Sequence, residues 1–490
     1  MPNASTTTSA VASWEALDNR PNPAWFDQDK IGIFLHWGLF SVPAFAGDSP
    51  EGKPYGYGGH CCWYGSHISR MYPLADQQQK NLEAFHRRAF GGDFSYDDIA
   101  HLFRAELFDA SQWAQLFKRA GAKWAIVTSN FHDGFCLWPS PYHPHWNSTV
   151  LGARRDLLGE FTDAVRAEGL RAGFYYSLLE HNHPLFPKPD CKKPYGDLPT
   201  YVRNHMQPQL REAVRRYKPS FIYLDGEWDY HSDDFEMREF VHWLYTKSPC
   251  KDDVLINDRF GKESRGKHGS VYCSEIGCEQ GGVQHKWIED RPLARGDWSR
   301  NRNQRLDFYL AERDMLHILV GTISRGGNIH FDLSPYADGT IPLIEQERMH
   351  QLGDWLAVNG EGIYGTSQWT TVNEGAKVAT HNPYLRHDGV DAVTGLDNWI
   401  WTAHRETPLV HYTKKGNDVY AFILQWPRGP LHLKAPMATA HTKATLLGRG
   451  AVSVKPEPSG GVVIDLPILH PDDYPCRHIW TVKLSGLANA

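Results

Sequence analysis

The first two thirds of the chain alternates between short apolar runs and amphipathic segments. Runs rich in β-branched and aromatic residues recur from about Trp25 to Tyr364, and apolar residues repeat at helical spacing between them. This alternation predicts a parallel sheet whose two faces are both covered. The predicted strands are Ile31–Phe34, Trp124–Thr128, Arg171–Tyr176, Phe221–Asp225, Val254–Asn257 and Asn328–Phe331.

The helical segments carry recognisable start and stop signals. Asp109 can cap a helix whose apolar face holds Trp113 and Phe117, and Gly169 can end a helix that begins at Leu157. Further helices are predicted up to Tyr217, over 240–246 and over 306–323.

Polar residues at the ends of the predicted strands decide between two parallel folds. A doubly wound sheet would also fit the alternation, but no Gly-rich phosphate loop opens any predicted helix. In a (β/α)8 barrel, catalytic groups converge at the C-terminal ends of the strands. His36, His132, Tyr175, Asp225 and Arg259 each lie at such an end. We therefore predict a (β/α)8-like barrel.

The pattern changes after Tyr364. Short alternating runs separated by Gly, Pro and Asn follow one another without intervening helices. They predict a C-terminal antiparallel β-sandwich. We expect an N-terminal extension over 1–24, a catalytic barrel over 25–367 and the sandwich over 368–490.

Composition narrows the classes of function. The 490 residues are 41% hydrophobic and carry a formal net charge of −6, which fits a globular chain and argues against a nucleic-acid partner. No apolar run is long enough to span a bilayer, so we expect no membrane insertion. The 18 Trp residues suit sugar stacking as well as core packing.

The N-terminal residues do not decide the cellular compartment of the protein. Residues 1–10 lack the charged and then apolar pattern of a signal peptide. The chain would be cytoplasmic, or secreted or lysosomal if a leader has been trimmed. Disulfide pairing and oligomeric state are likewise left open.

Asp225 is the sharpest candidate for chemistry. It ends an apolar strand and is followed by Gly226, Glu227 and Trp228, which suits a glycosidase nucleophile, although an Asp here could equally cap a turn. A lone strand-end His is usually a core or turn residue, but His36 and His132 together suggest a polar pocket. No zinc-protease motif and no nucleophile elbow is present, so we predict neither a metal, nor another cofactor, nor a serine hydrolase.

Ten sequence blocks, in order over roughly residues 25 to 370, resemble the α-L-fucosidases of glycoside hydrolase family 29, particularly the lysosomal type. They include Gly32-Ile-Phe-Leu-His-Trp-Gly38, His132-Asp-Gly-Phe135, Leu224-Asp-Gly-Glu-Trp228 and Asn257-Asp-Arg259. The resemblance implies a barrel followed by a β-sandwich. It also implies a retaining exo-hydrolase that removes terminal α-L-fucose from fucosylated oligosaccharides or glycoconjugates by double displacement.

The resemblance also assigns residues. Asp225 matches the family's nucleophile. The predicted substrate-binding residues are His36, Trp37, Trp63, His132, Tyr175, Tyr223 and Arg259.

Two positions depart from the family pattern. Phe131 replaces the first of two adjacent histidines, and Cys62 replaces a glutamate before Trp63-Tyr64. These departures leave two alternatives open: a retaining glycosidase for a related L-sugar such as α-L-galactose, or an inert sugar-binding relative. The presence of Asp225, Glu275 and Glu289 argues against the inert relative.

Two glutamates compete for the role of acid/base. Glu275 closes a short alternating run, and a strand end holds a carboxyl more firmly than a loop does. We also expect burial of Glu275 beside Tyr272. Glu289 follows His285-Lys-Trp-Ile and could instead pair with Lys286 at the surface. We therefore prefer Glu275, with Glu289 as the runner-up and Glu227 third.

Overall fold

A computed structural model describes residues 11–46, 60–187, 196–275, 285–294, 296–375 and 409–490. Its first domain is built on eight parallel strands. The six predicted strands are present, a further strand ends at Glu275 as expected, and the strand Trp287–Pro292 was not predicted. The strands are β1 Ile31–Leu35, β2 Trp124–Thr128, β3 Arg171–Ser177, β4 Phe221–Asp225, β5 Leu255–Ile256, β6 Tyr272–Glu275, β7 Trp287–Pro292 and β8 Asn328–Leu333.

These strands form a barrel. They are ordered β5-β4-β3-β2-β1-β8-β7-β6, and all pairings are parallel. A parallel bridge between Asn257 and Val271 joins the two ends of this order. The barrel interior is packed with aromatic and branched side chains such as Phe34, Trp124 and Phe221. The predicted barrel fold is therefore confirmed.

Helices surround most of the barrel. Asp109 caps the helix Ala110–Arg119 through hydrogen bonds from the backbone N–H groups of Ser111 and Gln112, as predicted. The helix predicted from Leu306 begins instead at Glu312, after a short 3-10 turn over 306–308. The helices are α1 Trp14–Asp18, α2 Ala24–Asp29, α3 Tyr64–Ile68, α4 Asp76–Phe90, α5 Ala110–Arg119, α6 Leu157–Ala167, α7 Leu198–Tyr201, α8 Gln207–Tyr217, α9 Met237–Thr246, α10 Glu312–Ser324 and α11 Leu343–Asn359.

The C-terminal domain is an antiparallel sheet folded into two layers. The strands are β9 Ser367–Glu374, β10 Val410–Lys415, β11 Asp418–Ile423, β12 Leu431–Leu433, β13 Lys443–Leu446, β14 Gly450–Pro456, β15 Val462–Asp465 and β16 Trp480–Ser485. β14 pairs with β13 near its start and with β15 near its end, so it passes from one layer to the other. The predicted antiparallel β domain is confirmed.

The two domains share a packed boundary. The Trp355 indole on α11 donates a 2.8 Å hydrogen bond to the carbonyl of Ile479, and its ring lies against Phe422. A buried Trp whose N–H is hydrogen-bonded fixes the orientation of its ring at the domain boundary and also buries apolar area. No helix among the described residues is both long and apolar enough to cross a membrane.

Candidate active site

A cavity of about 350 Å³ opens at the C-terminal ends of the barrel strands. This size is at the lower end of the range for small-molecule sites. Its walls combine aromatic rings with a few charged groups. The lining residues are Phe34, His36, His60, Cys62, Trp63, Phe131, Tyr175, Tyr223, Asp225, Trp228, Arg259, Arg265, Glu275 and Trp298.

Asp225 lies at the centre of this pocket. It is the last residue of β4, and its carboxyl is almost completely buried. The Tyr175 hydroxyl donates a 2.7 Å hydrogen bond to Oδ2, and Arg259 forms an ion pair with Oδ1. Nε2 of His132 lies 3.7 Å from Oδ2. These contacts hold the carboxylate in one orientation, as a nucleophile requires.

Arg259 joins two carboxyl groups. One terminal nitrogen of its guanidinium contacts Asp225, and the other contacts Oε1 of Glu275 at the end of β6. Glu227 approaches the same guanidinium at Nε, 3.4 Å away, and also accepts a 2.7 Å hydrogen bond from Arg265. Two carboxyls therefore flank one cation at the pocket, with a third buried behind it.

The environment of Glu275 differs from the expected one. Its side chain is 33% exposed, and its charged neighbours are Arg259 and Arg265. Tyr272, three residues earlier on β6, points to the other face of the strand and stacks on His285 at 3.8 Å. The expectation that Glu275 is buried beside Tyr272 was wrong.

Glu289 lies outside the pocket. It sits within β7, where it contacts Arg291 at 2.5 Å and accepts a 2.8 Å hydrogen bond from Ser274. The suggested surface pairing with Lys286 is also absent, because Lys286 contacts Asp27 at 2.9 Å. Both of these contacts lie on the face of the sheet opposite to the side chain of Glu275, because Glu289 pairs with Ser274 in the register.

His36 is supported by a buried carboxyl. Its Nδ1 lies 2.7 Å from Oδ1 of Asp332, one residue before the end of β8. Burial lowers the pKa of His36 to about 4 and raises the pKa of Asp332 well above its usual range. Because Asp332 occupies Nδ1, Nε2 is the ring nitrogen left to face a ligand.

Two tryptophans stand beside His132. The Trp63 ring lies 4.6 Å from the imidazole and the Trp228 ring 5.4 Å from it, while Ser177 lies 2.7 Å from Nδ1. Burial lowers the pKa of His132 well below its ordinary value. A neutral imidazole between two aromatic rings suits the mixed apolar and polar surface of a sugar.

Tyr223 contributes its ring to the pocket more than its hydroxyl. The hydroxyl donates a 2.9 Å hydrogen bond to Asp290, which also lies 2.8 Å from Nδ1 of His330. The Trp124 indole donates to Nε2 of His330 at 2.6 Å, so Nδ1 carries the proton given to Asp290. These hydrogen bonds form a buried polar network beneath the pocket.

Trp37 does not reach the pocket. Its ring packs against Phe103, Phe108 and Trp113 on the helix side of the barrel, and its N–H donates to the carbonyl of Tyr336 at 2.8 Å. The prediction that Trp37 binds substrate is therefore corrected, and Trp37 is a core residue.

The sequence analysis missed several lining residues. Trp298, whose ring lies 5.6 Å from that of His36, comes from a loop with no periodic pattern. Trp228 stood in the quoted block after Asp225, so its position was a usable signal. Phe131 and Cys62, the two departures from the family pattern, both line the pocket. Phe131 stacks on Tyr175 at 5.4 Å.

Comparisons with known proteins agree with this geometry. The family model described as alpha-L-fucosidase matches residues 1–361, and the alpha-L-fucosidase C-terminal domain model matches residues 404–485. The chain is 35% identical to tissue alpha-L-fucosidase of Homo sapiens over 97% of its own length and 91% of that relative. It is 36% identical to plasma alpha-L-fucosidase of Rattus norvegicus over 97% and 94%.

Solved structures show the same likeness. The alpha-fucosidase of Thermotoga maritima in complex with a mechanism based inhibitor superposes with a TM-score of 0.77 at 28% identity. The match covers 96% of this chain and 99% of that one. The same bacterial enzyme in complex with fucose gives a TM-score of 0.76 with the same coverage.

Proposed function

The chain belongs to the α-L-fucosidase family of retaining glycoside hydrolases, and we propose that its barrel pocket releases terminal α-L-fucose from fucosylated oligosaccharides or glycoconjugates. The size of the cavity supports an exo mode of action, since about 350 Å³ suits one sugar unit better than a chain of several.

The observation that carries the proposal is the pair of carboxyls held by Arg259. Asp225 and Glu275 contact the two terminal nitrogens of the same guanidinium, so both reach one small volume at the pocket. Retaining glycosidases need two carboxyls about 5–5.5 Å apart. Glu289 pairs with Ser274 in the strand register, so its side chain lies on the opposite face of the sheet from that of Glu275.

The two carboxyls have separate roles in double displacement. Asp225 attacks the anomeric carbon and forms a fucosyl ester while Glu275 gives its proton to the departing glycosidic oxygen. Glu275 then takes a proton from water, whose oxygen attacks the anomeric carbon. Fucose is released and the Asp225 carboxylate is regenerated. Because Glu275 contacts Arg259 in the ligand-free pocket, that ion pair has to open before Glu275 can reach the glycosidic oxygen.

The remaining pocket residues supply sugar contacts. Arg259 can donate hydrogen bonds to sugar hydroxyls. Neutral His132 gives its Nδ1 proton to Ser177, whose hydroxyl donates to the carbonyl of Leu179, so Nε2 of His132 is an acceptor. His36 also presents Nε2 to the pocket, and Tyr175 reaches the nucleophile directly. Trp63 and the ring of Tyr223 offer apolar faces to the pyranose. Arg259 has a double role, because it also orients Asp225.

Turnover of nitrophenyl α-L-fucoside by the wild type and by Asp225→Gly tests the nucleophile. We expect the variant to lose turnover, and added azide to restore part of it as the β-configured fucosyl azide. Asp233→Asn, an exposed carboxyl in the loop after the same strand, is the matched control. Near wild-type turnover by a folded Asp225→Gly protein would overturn the assignment.

A further inference from the structure

A second cluster of titratable side chains lies behind the active site, and the hydrolysis does not use it. Nε2 of His143 lies 2.7 Å from Oε2 of Glu180, and Nε2 of His205 lies 3.0 Å from both oxygens of the same carboxylate. The three groups can each offer one ligand atom, all within 4.8 Å of one another. Two imidazoles thus converge on one carboxylate.

The cluster is largely buried. The side chain of Glu180 is 1% exposed, that of His205 6% and that of His143 18%. A buried carboxylate beside two imidazoles is a donor set that can bind a divalent cation.

The backbone that presents His205 is unusual. Residues Val202–Met206 form a π-helical turn between α7 and α8. Such turns are rare within helices and occur often at functional sites, because the extra residue re-aims a side chain. Here the turn includes His205, whose side chain is directed at Glu180. This local irregularity is a second observation, independent of the side-chain cluster.

The cluster connects three distant segments of the chain. His143 lies in the loop after β2, Glu180 lies just after β3, and His205 lies between α7 and α8. It also touches the turn that carries His132. Gly134 in that turn has φ +74°, and a Cβ on it would lie 2.6 Å from Oε2 of Glu180. Cross-linking these segments would therefore brace the turn behind the nucleophile.

We propose that His143, Glu180 and His205 bind one divalent transition-metal ion, with Zn²⁺ as the best match, at a structural site behind the active-site turn. Two imidazoles favour Zn²⁺ over Ca²⁺ or Mg²⁺, which prefer oxygen ligands. Each imidazole binds through Nε2 with its proton on Nδ1, and the carboxylate supplies one oxygen. Water takes the fourth position.

The observed spacings fit this coordination after a small expansion. Ligand atoms at about 2.0–2.1 Å from a tetrahedral ion lie about 3.3 Å apart. The two His–Glu separations, 2.7 and 3.0 Å, are a few tenths of an ångström shorter than this. The His183 ring lies 4.2 Å from that of His205, but its Nδ1 accepts a hydrogen bond from the backbone N–H of Leu185. Its proton is therefore on Nε2, and His183 stays outside the ligand set.

Metal binding can be measured directly on the full chain carrying no polyhistidine tag. The protein is freed of metal with a chelator and then titrated with Co²⁺, whose visible absorption reports its coordination, and with Zn²⁺ followed by elemental analysis. We expect one equivalent of ion per chain, an absorption band typical of four or five ligands, and a higher melting temperature on binding.

Matched variants locate the ion. His205→Gln and His143→Gln each keep a donor near Glu180 but remove a ligand, and both should lose the Co²⁺ band and the stoichiometric Zn²⁺. His432→Gln changes an exposed His–Glu pair of 3.0 Å in the C-terminal domain and should keep both. Equal binding by His205→Gln and the wild type would overturn the proposal.

The metal titration of the wild-type protein tests the proposal even without the variants. If the ligand variants fail to fold, the wild-type titration still stands as the test, because an ion held by the native site must raise the melting temperature with increasing concentration. Absence of both the Co²⁺ band and the temperature rise at a hundredfold excess of ion over protein would overturn the proposal. Neither readout depends on fucosidase activity.

Discussion

The hydroxyl of Tyr175 donates a 2.7 Å hydrogen bond to Oδ2 of Asp225 across neighbouring strands β3 and β4. Both side chains point into the barrel, because Tyr175 lies opposite Tyr223 and Ser177 opposite Asp225 in the register. A buried carboxylate needs such donors to remain charged and oriented. In the proposed mechanism this bond would affect both the attack by Asp225 and its departure from the ester.

Tyr175→Phe is expected to lower kcat/KM on nitrophenyl α-L-fucoside by about 10- to 100-fold. A hydrogen bond to a charged group contributes about 1.5–3 kcal/mol, which corresponds to that loss. Tyr176→Phe is the control, because the hydroxyl of Tyr176 donates to Gln209 at 2.7 Å on the other face of the same strand. An unchanged kcat/KM in a folded Tyr175→Phe protein would contradict this role.

Glu275→Ala should show the signature of a lost acid/base. With a leaving group that needs protonation, we expect a loss of about 10²–10⁴-fold, whereas dinitrophenyl α-L-fucoside should lose far less in the glycosylation step. Azide should then accelerate deglycosylation of the variant.

Glu289→Ala should behave differently. It removes one partner of a buried ion pair with Arg291, so we expect a lower free energy of unfolding and no dependence on the leaving group. The two aglycones are compared by kcat/KM, and stability is measured by denaturant unfolding. A leaving-group signature in Glu289→Ala and none in Glu275→Ala would reverse the assignment.

Selectivity between L-fucose and L-galactose is expected to be modest. The two sugars differ by one hydroxyl at C6, and Phe34, Phe131 and Trp298 give the pocket apolar walls. An apolar wall rejects an added hydroxyl by only about 10²-fold. The ratio of kcat/KM for nitrophenyl α-L-fucoside and α-L-galactoside measures this directly. A preference above about 10⁴-fold would show that a polar group in the pocket discriminates at C6.

The stability of the protein should depend on the protonation of Glu345. Burial raises its pKa from 4.5 to about 7. The native state therefore holds this proton more tightly than the unfolded chain, so the stabilisation is complete below about pH 4.5 and is lost as the pH rises through 7. The shift corresponds to about 3 kcal/mol at most.

Glu345→Gln should remove that part of the pH dependence, because the amide resembles the protonated acid towards Ser334. The free energy of unfolding of the variant, compared with the wild type, should rise from pH 4 to pH 8. Glu347→Gln changes an exposed carboxyl on α11 and is the control. A constant difference between variant and wild type across this range would refute the assignment.

Local patterns in the sequence were sufficient for most of the barrel elements and for the position of Asp225 at a strand end. β-branched runs that end in a polar residue encode strands of a barrel, and Asp225 lies at such an end, where β4 stops. Asp109 signalled the start of α5 because a cap acts only on residues next to it. β7 was missed because Glu289, Asp290 and Arg291 interrupt its apolar pattern, and these charges find partners only in the closed barrel.

The direction in which individual side chains point is decided by the tertiary structure. His36 and Trp37 are adjacent, yet His36 lines the pocket and Trp37 packs against the outer helices, because the chain turns at the strand end. The choice between Glu275 and Glu289 likewise depends on which face of a strand meets the barrel mouth. The meeting of His143, Glu180 and His205 depends on three segments far apart in the chain. The sequence determined the periodicity and the residue types, because these act over a few neighbours. The partners across the barrel follow from its closure, which is a long-range property of the fold.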